Sequence, residues 1–487
     1  MQKYNHAFGK NDIRGIYGAD ITEELYYNTA RGFVEWLKLQ SGKSESDITI
    51  TVVRDARLHS PNLEDALVSG FLQTGVNIIK LGLAPTPIGY YSEAAGVQGK
   101  EITASAIITA SHNPKEYNGL KMTYNKQTLN EKQIHEVKDL TFKNWTIYNG
   151  STVKSLNLST VFEYNIIPDY IADMTKRFGN IGQGVKIVVD SANATGGVVA
   201  PELYRKIGCE VIELFSEPDG NFPNHHPNPS VEKTLDTLKE VVVRENADVG
   251  IAFDGDSDRI GIIDNNGKFL TGDKLLLIYA TDLIEICKAK NIVPNIVSEV
   301  KCSQVLYDEI NKLGGNAIMC KTGHGYIKSK MKETNALLAG EMSGHTFFKD
   351  RYYGFDDAIY AGCRIIEIIS KQKKQNPKFQ ISDLLKPFDS VYSSPEVRYN
   401  CPNELKKEVL EKVKEIIHTN KEIFTLEIKD IITIDGMRIV FDGGFALIRQ
   451  SNTEPVFTLR FEAKNKSECE RFKNTMIEIL DSILSEK

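Results

Sequence analysis

Cysteine is scarce and unpatterned: the seven thiols, Cys209, Cys287, Cys302, Cys320, Cys363, Cys401 and Cys469, are odd in number, scattered, and form no CxxC pair. That argues against a disulfide framework or a zinc site and for a reducing compartment. Long apolar runs are missing too. No stretch reaches 18 apolar residues, and the opening MQKYNHAFGKND has no apolar core of a signal peptide, so a soluble cytoplasmic protein with no membrane contact is expected. Positive charge is not in excess: 59 Lys and Arg stand against 65 Asp and Glu, a net charge of −6. No bulk basic field therefore invites nucleic acid, and any anion must be met by cations gathered inside a site. Internal repeats and low-complexity tracts are absent. What remains is 487 residues, 41% hydrophobic, 25% charged and 9% aromatic, the balance of a folded protein of several domains.

Short β-branched runs alternate with amphipathic segments along most of the chain. ITITVVRD (48–55) is followed by a helical pattern over 62–75, then NIIKLG (77–82) and SAIITAS (105–111). VKIVVDSA (185–192), EVIELF (210–215) and DVGIAFD (248–254) repeat the theme, with helices expected over 197–207 and 231–246. Helices at about 273–288, 303–313 and 325–333 surround NIVSEVK and NAIMCK. Such alternation argues for parallel sheets covered on both faces. The last hundred residues differ: a helix at 404–418, three strand-like runs (IITIDGMRIVF, FALIRQS, VFTLRFEA) and a helix over 467–485 predict an α+β domain with an antiparallel sheet. Domain boundaries are expected near 155, 265 and 385, and the polar, turn-rich 140–160 reads as a linker.

Four constellations carry chemistry. Thr109-Ala110-Ser111-His112-Asn113-Pro114 follows a strand, and Asn-Pro forces a turn that presents the Ser111 hydroxyl at a sheet's carboxyl edge, where ligands bind; a capped turn with an exposed His112 fits the same letters. Asp254-Gly255-Asp256-Ser257-Asp258-Arg259 places three carboxylates at i, i+2 and i+4, which repel unless the loop curls around a cation. An EF-hand fails on Arg259 and Asn265, and a compact all-oxygen site suits Mg²⁺. Gly340-Glu341-Met342-Ser343-Gly344-His345 sets a carboxylate and a hydroxyl between glycines, able to bind a polyol, and Lys321-Thr322-Gly323-His324-Gly325 is a similar loop opening a helix. Arg449-Gln450-Ser451-Asn452-Thr453-Glu454-Pro455, between two strands, gathers an Arg, two hydroxyls, an amide and backbone N–H groups into either a phosphate cradle or an ordinary turn.

In this order and spacing the motifs resemble the α-D-phosphohexomutase superfamily over essentially the whole chain, on the phosphomannomutase/phosphoglucomutase branch. The matching pieces are NDIRG (11–15), TASHNP with NGLK (118–121), DGDSDR, KTGHGYIK, GEMSGHTFFKDRYYGFDDAIY (340–360) and RQSNTEPVFTLRFEA (449–463). The resemblance implies four domains around a central cleft, three mixed α/β (1–155, 156–265, 266–385) and a C-terminal α+β domain (386–487). It makes Ser111 a phosphoserine, and Asp254, Asp256 and Asp258, with the Ser111 group, the ligands of Mg²⁺. Arg14, His112, Lys121 and Arg259 fall on positions around the transferring phosphoryl. Glu341 and Ser343 would hold sugar hydroxyls, and Arg449, Ser451, Asn452 and Thr453 the unreacting phosphate. Lys301 and His324 match cleft-lining positions. Asn11 departs from the family, where Tyr is common.

The implied reaction moves a phosphoryl group between Ser111 and a hexose 1- or 6-phosphate through a bound hexose 1,6-bisphosphate, which would also serve as activator. Lys121 and His345 are both candidate bases for the sugar hydroxyl. Phosphoglucosamine mutase is the near alternative, against which Met342 speaks because glucosamine-specific relatives usually carry Gln there. A Mg²⁺-dependent phosphatase with Asp254 as nucleophile leaves TASHNP unexplained. A catalytically dead sugar-phosphate-binding protein has no need of an intact Ser111 and three aspartates. A monomer or weak dimer acting on small sugar phosphates is expected.

Overall fold

The buried strand Val249–Phe253 and its neighbour Ile260–Asp264 are joined by the loop 254–259. A parallel pair needs a crossover of about a dozen residues or more, so this connection can only reverse the chain, and the pair is antiparallel. The same holds for Ala104–Ile108 and Tyr117–Tyr124, joined by 109–116. The sheets that carry both loops are therefore mixed rather than wholly parallel, a correction to what alternation of strands and helices suggests.

The computed structural model of the chain describes residues 2–148, 150, 161–420, 422–424, 426–451 and 454–485. By internal contacts the chain forms two units: Met1–Leu270 with Ser343–Ile381, and Thr271–Met342 with Ser382–Lys487.

In the first unit, one sheet runs in the order Ile13–Ile16, Tyr117–Tyr124, Ala104–Ile108, Thr49–Arg54, Asn77–Leu83, Val161–Glu163. The last four strands are parallel and the first two antiparallel to their neighbours. Helices Glu23–Ser41 and Ser60–Leu72 bury Leu25, Phe33, Trp36, Leu67 and Phe71 against Ile50, Val52 and Ile108. Helix Glu131–Lys143 opens with a capping box between Asn130 and Gln133. The stretch 140–148 is no linker: Phe142, Trp145 and Tyr148 pack on this core, and Trp145 stacks on Tyr4 at 5.4 Å. Three aromatics outweigh the polar residues between them. Most of the remainder of that supposed linker, Asn149 and 151–160, lies outside the described residues. The unit's second sheet orders Phe269–Leu270, Ile260–Asp264, Val249–Phe253, Lys186–Asp190 and Glu210–Leu214.

The second unit holds three parallel strands, Asn316–Cys320, Asn295–Glu299 and Leu338–Gly340. It also holds an antiparallel sheet centred on Val456–Ala463, Gly444–Gln450 and Met437–Phe441. Helices Lys406–Thr419 and Lys466–Ser485 cover that sheet, burying Val413, Phe472 and Leu480 with Phe441, Phe457 and Phe461. Arg438 and Arg460 are buried and donate to the carbonyls of Val300, Cys302 and Lys301, so two arginines of the sheet fix the backbone beside Lys301. Among the described residues no helix is long and apolar enough to cross a membrane.

Candidate functional site

In the first unit the loops after Ala104–Ile108 and Val249–Phe253 meet. The Ser111 hydroxyl donates to Asp254 Oδ2 at 2.7 Å and lies 3.2 Å from His112 Nδ1. Ser111 is buried, and its backbone is left-handed, φ +50°, a conformation that side chains with a Cβ avoid. Asp254 Oδ1 accepts the backbone N–H groups of Asp258 and Arg259 at 3.1 and 3.2 Å, which curls the acidic loop. The repulsion among the carboxylates is partly met by protein. Lys121 Nζ donates to Asp256 Oδ2 at 2.7 Å and to Asp258 Oδ2 at 2.6 Å. Thr86, which no motif in the sequence flags, donates its hydroxyl to Asp256 Oδ2 at 2.6 Å and its N–H to the Asp256 carbonyl at 2.8 Å.

The electrostatics follow from burial and these partners. Burial, with Asp258 and Asp256 beside it, pushes the Asp254 carboxyl well up. Burial also works on Asp258, but Lys121, His345 and Arg259 override it and hold that carboxyl well below its ordinary range. Burial alone would lower Lys121, yet Asp256 and Asp258 raise it well above the usual ammonium range. His112 is pushed well down by burial and by Arg259 and Arg14, which favours the neutral ring.

Arg14 reaches the same loops, donating to Asn113 Oδ1 at 2.9 Å and pairing with Asp12. Arg259 Nε lies 3.3 Å from His345 Nε2, and that nitrogen is also 3.3 Å from Asp258 Oδ1. One ring nitrogen can accept from Arg259 or donate to Asp258, so the tautomer decides which contact is a hydrogen bond. Ser343 Oγ stands 3.0 Å from His345 Nδ1.

A divalent cation fits this donor set. One oxygen each from Asp254, Asp256 and Asp258 lie within 4.8 Å of one another, all buried. Asp256 Oδ1 is buried without a hydrogen-bond partner among the described residues. An orphaned carboxylate oxygen inside an all-oxygen cluster is what a hard cation satisfies.

Gly255 makes the approach of the two loops possible. A Cβ there would stand 2.3 Å from the Ser111 carbonyl oxygen. Gly255→Ala is expected to separate the loops and lower kcat by about 10²-fold, with a stability loss of about 1–3 kcal/mol for the overpacking. Steady-state kinetics and thermal unfolding check both.

The second unit gathers a different polar cluster. Lys301 Nζ lies 3.6 Å from Glu299 Oε1 and 3.5 Å from Glu396 Oε2. Glu299 Oε1 accepts the N–H of Met342 at 2.9 Å, and Glu341 Oε1 that of Gly323 at 2.8 Å. Arg449 Nε donates to Asp435 Oδ2 at 3.0 Å, which also accepts Thr322 N at 3.1 Å. Carboxylates thus stitch the loops of Lys321–Gly323, Gly340–Met342 and Arg449 together. His324 opens the helix His324–Thr334. Lys406 donates to the carbonyls of Ser451 and Glu454. Asn452 and Thr453 lie outside the described residues. The boundary between the units falls between Met342 and Ser343, so Glu341 and Ser343 belong to different units.

Residues 5–146, 168–267 and 271–388 match the phosphoglucomutase/phosphomannomutase alpha/beta/alpha domains I, II and III, and residues 396–479 match the C-terminal domain of that family. The phosphomannomutase/phosphoglucomutase of Pseudomonas aeruginosa is 37% identical over 469 residues, 96% of this chain and 93% of the relative. The phosphoglucomutase of Neisseria gonorrhoeae is 36% identical over 479 residues, 98% of this chain and 96% of the relative. A crystal structure of a phosphoglucomutase/phosphomannomutase family protein from Burkholderia thailandensis matches with a TM-score of 0.85 at 32% identity, covering 98% of this chain and 97% of that one. With four matched domains, three mixed α/β and one α+β, and relatives aligned end to end, the chain belongs to the phosphoglucomutase/phosphomannomutase family.

Proposed function

We propose that this chain is a phosphohexomutase that interconverts hexose 1-phosphate and hexose 6-phosphate, with mannose or glucose as the sugar, by way of a phosphoserine at Ser111. The observation that carries the reading is the 2.7 Å contact between Ser111 Oγ and Asp254 Oδ2 amid Lys121, Arg14 and Arg259. A nucleophilic hydroxyl ringed by cations and carboxylates suits phosphoryl transfer, in which positioning and charge neutralisation do most of the work. In the forward half-reaction the P–O bond to Ser111 Oγ breaks as one forms to the free sugar hydroxyl, whose proton passes to His345, because Lys121 is already an ammonium donating to Asp256 and Asp258 and has no lone pair to take it. The bound bisphosphate then turns, and its other phosphoryl group returns to Ser111. Asp254, Asp256, Asp258 and the Ser111 group would hold Mg²⁺, which supplies charge neutralisation at the transferring oxygens. Arg14, His112 and Arg259 bind those oxygens. Lys301, His324, Glu341, Ser343, Arg449, Ser451, Asn452 and Thr453 bind the sugar and the resting phosphate.

The division near residues 155, 265 and 385 belongs to the same proposal, as does work in a reducing cytoplasm, which seven buried free thiols support. Initial rates on mannose 1-, glucose 1- and glucosamine 1-phosphate, with a hexose 1,6-bisphosphate activator, test the reaction. Phosphopeptide mapping tests Ser111, because a stable phosphoserine is foreign to an Asp254-based phosphatase.

Sugar recognition gives a sharper test. If Glu341 and Ser343 read O3 and O4, they contact groups shared by mannose and glucose, which differ at C2. Charged hydrogen bonds in a desolvated site are worth about 1.5–3 kcal/mol. Glu341→Ala is therefore expected to lower kcat/KM by about one to two orders of magnitude on both sugars. Loss on one sugar alone would mean that this residue reads C2.

A further inference from the structure

Arg57 lies in none of the motifs, yet its guanidinium is at the centre of the Ser111 loop. The strand Thr49–Arg54 ends just before it, and its side chain is fully buried. Nε donates to Asp55 Oδ2 at 3.0 Å. Nη1 donates to the carbonyls of Pro114 at 2.5 Å and Tyr117 at 3.1 Å, and Nη2 to those of Ser111 at 2.9 Å and Asn113 at 2.7 Å. A guanidinium has five N–H donors. All five are occupied here, four of them by the backbone of residues 111–117, which leaves none for a ligand. Asp55 fixes the fork in turn: its Oδ1 accepts the Arg57 N–H at 3.0 Å and the Ser60 hydroxyl at 2.7 Å. The ring of Phe222 lies 5.4 Å from the guanidinium carbon.

The loop needs such a hold for two reasons. Ser111 is left-handed without being glycine, a state that persists only where the surroundings impose it. The Ser111, Asn113, Pro114 and Tyr117 carbonyls also converge on one buried spot, where each requires a donor. We propose that Arg57 is a positioning residue for phosphoryl transfer: by clamping four carbonyls of the 111–117 loop it holds Ser111 in its left-handed backbone with Oγ against Asp254. The proposal rests on Ser111 being the phosphoryl carrier. Arg57 touches neither Ser111 Oγ nor the acidic loop's carboxylates, so its effect on the reaction runs through backbone geometry.

The test is chemical rescue of Arg57→Ala by guanidinium ion, with urea as the neutral planar control. A misplacement of about 1 Å at a reacting group costs about 10²-fold, so kcat for glucose 1-phosphate should fall by that order while KM stays near wild type. Millimolar guanidinium should restore kcat by about tenfold or more, since the vacated cavity presents the same carbonyls and carboxylate to a planar cation with N–H donors in the same fork geometry, and urea should not. A kcat near wild type without guanidinium, or a folded variant that guanidinium does not restore, overturns the proposal. Should Arg57→Ala fail to fold, Arg57→Lys keeps the buried charge but cannot reach four carbonyls. It should fold with a lowered melting temperature, since buried carbonyls are left without a donor, and lose kcat at unchanged KM; an unaltered kcat overturns the clamp. Intact-mass analysis of the wild type after incubation with glucose 1,6-bisphosphate separates the two levels. No phosphate on Ser111 overturns the carrier reading and the clamp together, whereas a phosphorylated wild type with an unrescued variant overturns the clamp alone.

Discussion

Ser111→Ala is expected to fold as the wild type does and to lose nearly all turnover. Alanine keeps the Cβ, so the left-handed backbone at this position, φ +50°, meets the same steric demand as before. The 2.7 Å hydrogen bond to Asp254 Oδ2 disappears, but Asp254 keeps the N–H groups of Asp258 and Arg259 on its other oxygen. The acidic loop therefore retains its curl, and thermal unfolding should shift by no more than the loss of one buried hydrogen bond, about 1–3 kcal/mol. The rate has no such cushion. Uncatalysed phosphate monoester transfer is so slow that enzymes accelerate it up to about 10²¹-fold, and the variant has no hydroxyl to carry the group. Coupled assay with glucose 1-phosphate and a bisphosphate activator reads the outcome. Residual activity above about a tenth of wild type would remove Ser111 from the role of carrier, because background chemistry cannot supply it.

Residues differ in how far the sequence announces them, and the reason is distance along the chain. Ser111 and the three aspartates sit in short, unusual strings at the ends of apolar strands, so their placement at sheet edges is a local property. Lys121 also follows from a local string, but its contact with Asp256 and Asp258 spans more than a hundred residues and depends on two antiparallel pairings. Those pairings were not legible from strand–helix alternation, which reads as parallel throughout; only the short length of the loops at 109–116 and 254–259 betrays the reversal. Thr86 and Arg57 have no motif at all. Each is a single polar residue near the end of an apolar strand, and each gains its meaning from a loop distant in sequence, Asp256 for Thr86 and Ser111–Tyr117 for Arg57. The misread stretch 140–148 has the opposite cause. Its polar composition suggests solvent, while Phe142, Trp145 and Tyr148 supply enough apolar area to fold it onto the core beside Tyr4 and Tyr27.

Removal of the cation, or of one of its carboxylates, should silence transfer without unfolding the protein. Asp256 is the informative position because its two oxygens have different duties. Oδ2 is held by Lys121 and Thr86 at 2.7 and 2.6 Å, whereas Oδ1 is buried and lacks a protein partner among the described residues. Asn at 256 keeps the volume, and its side-chain oxygen can still accept from Thr86 or Lys121. Lys121 also retains Asp258 at 2.6 Å, so the ammonium is not stranded. What is lost is one negative charge and one hard ligand. A metal contributes several kcal/mol of charge stabilisation at a transferring phosphoryl group, and about 1.4 kcal/mol is a factor of ten. Asp256→Asn is accordingly expected to lower kcat by about 10³-fold or more, while binding of glucose 1-phosphate, followed by calorimetry, changes little. Excess EDTA should do the same to the wild type, and added Mg²⁺ should restore the wild type but not the variant. Undiminished turnover in excess EDTA would mean that Lys121 and the arginines neutralise the phosphoryl group alone, and the acidic loop would then be a partner for Lys121 rather than a metal site.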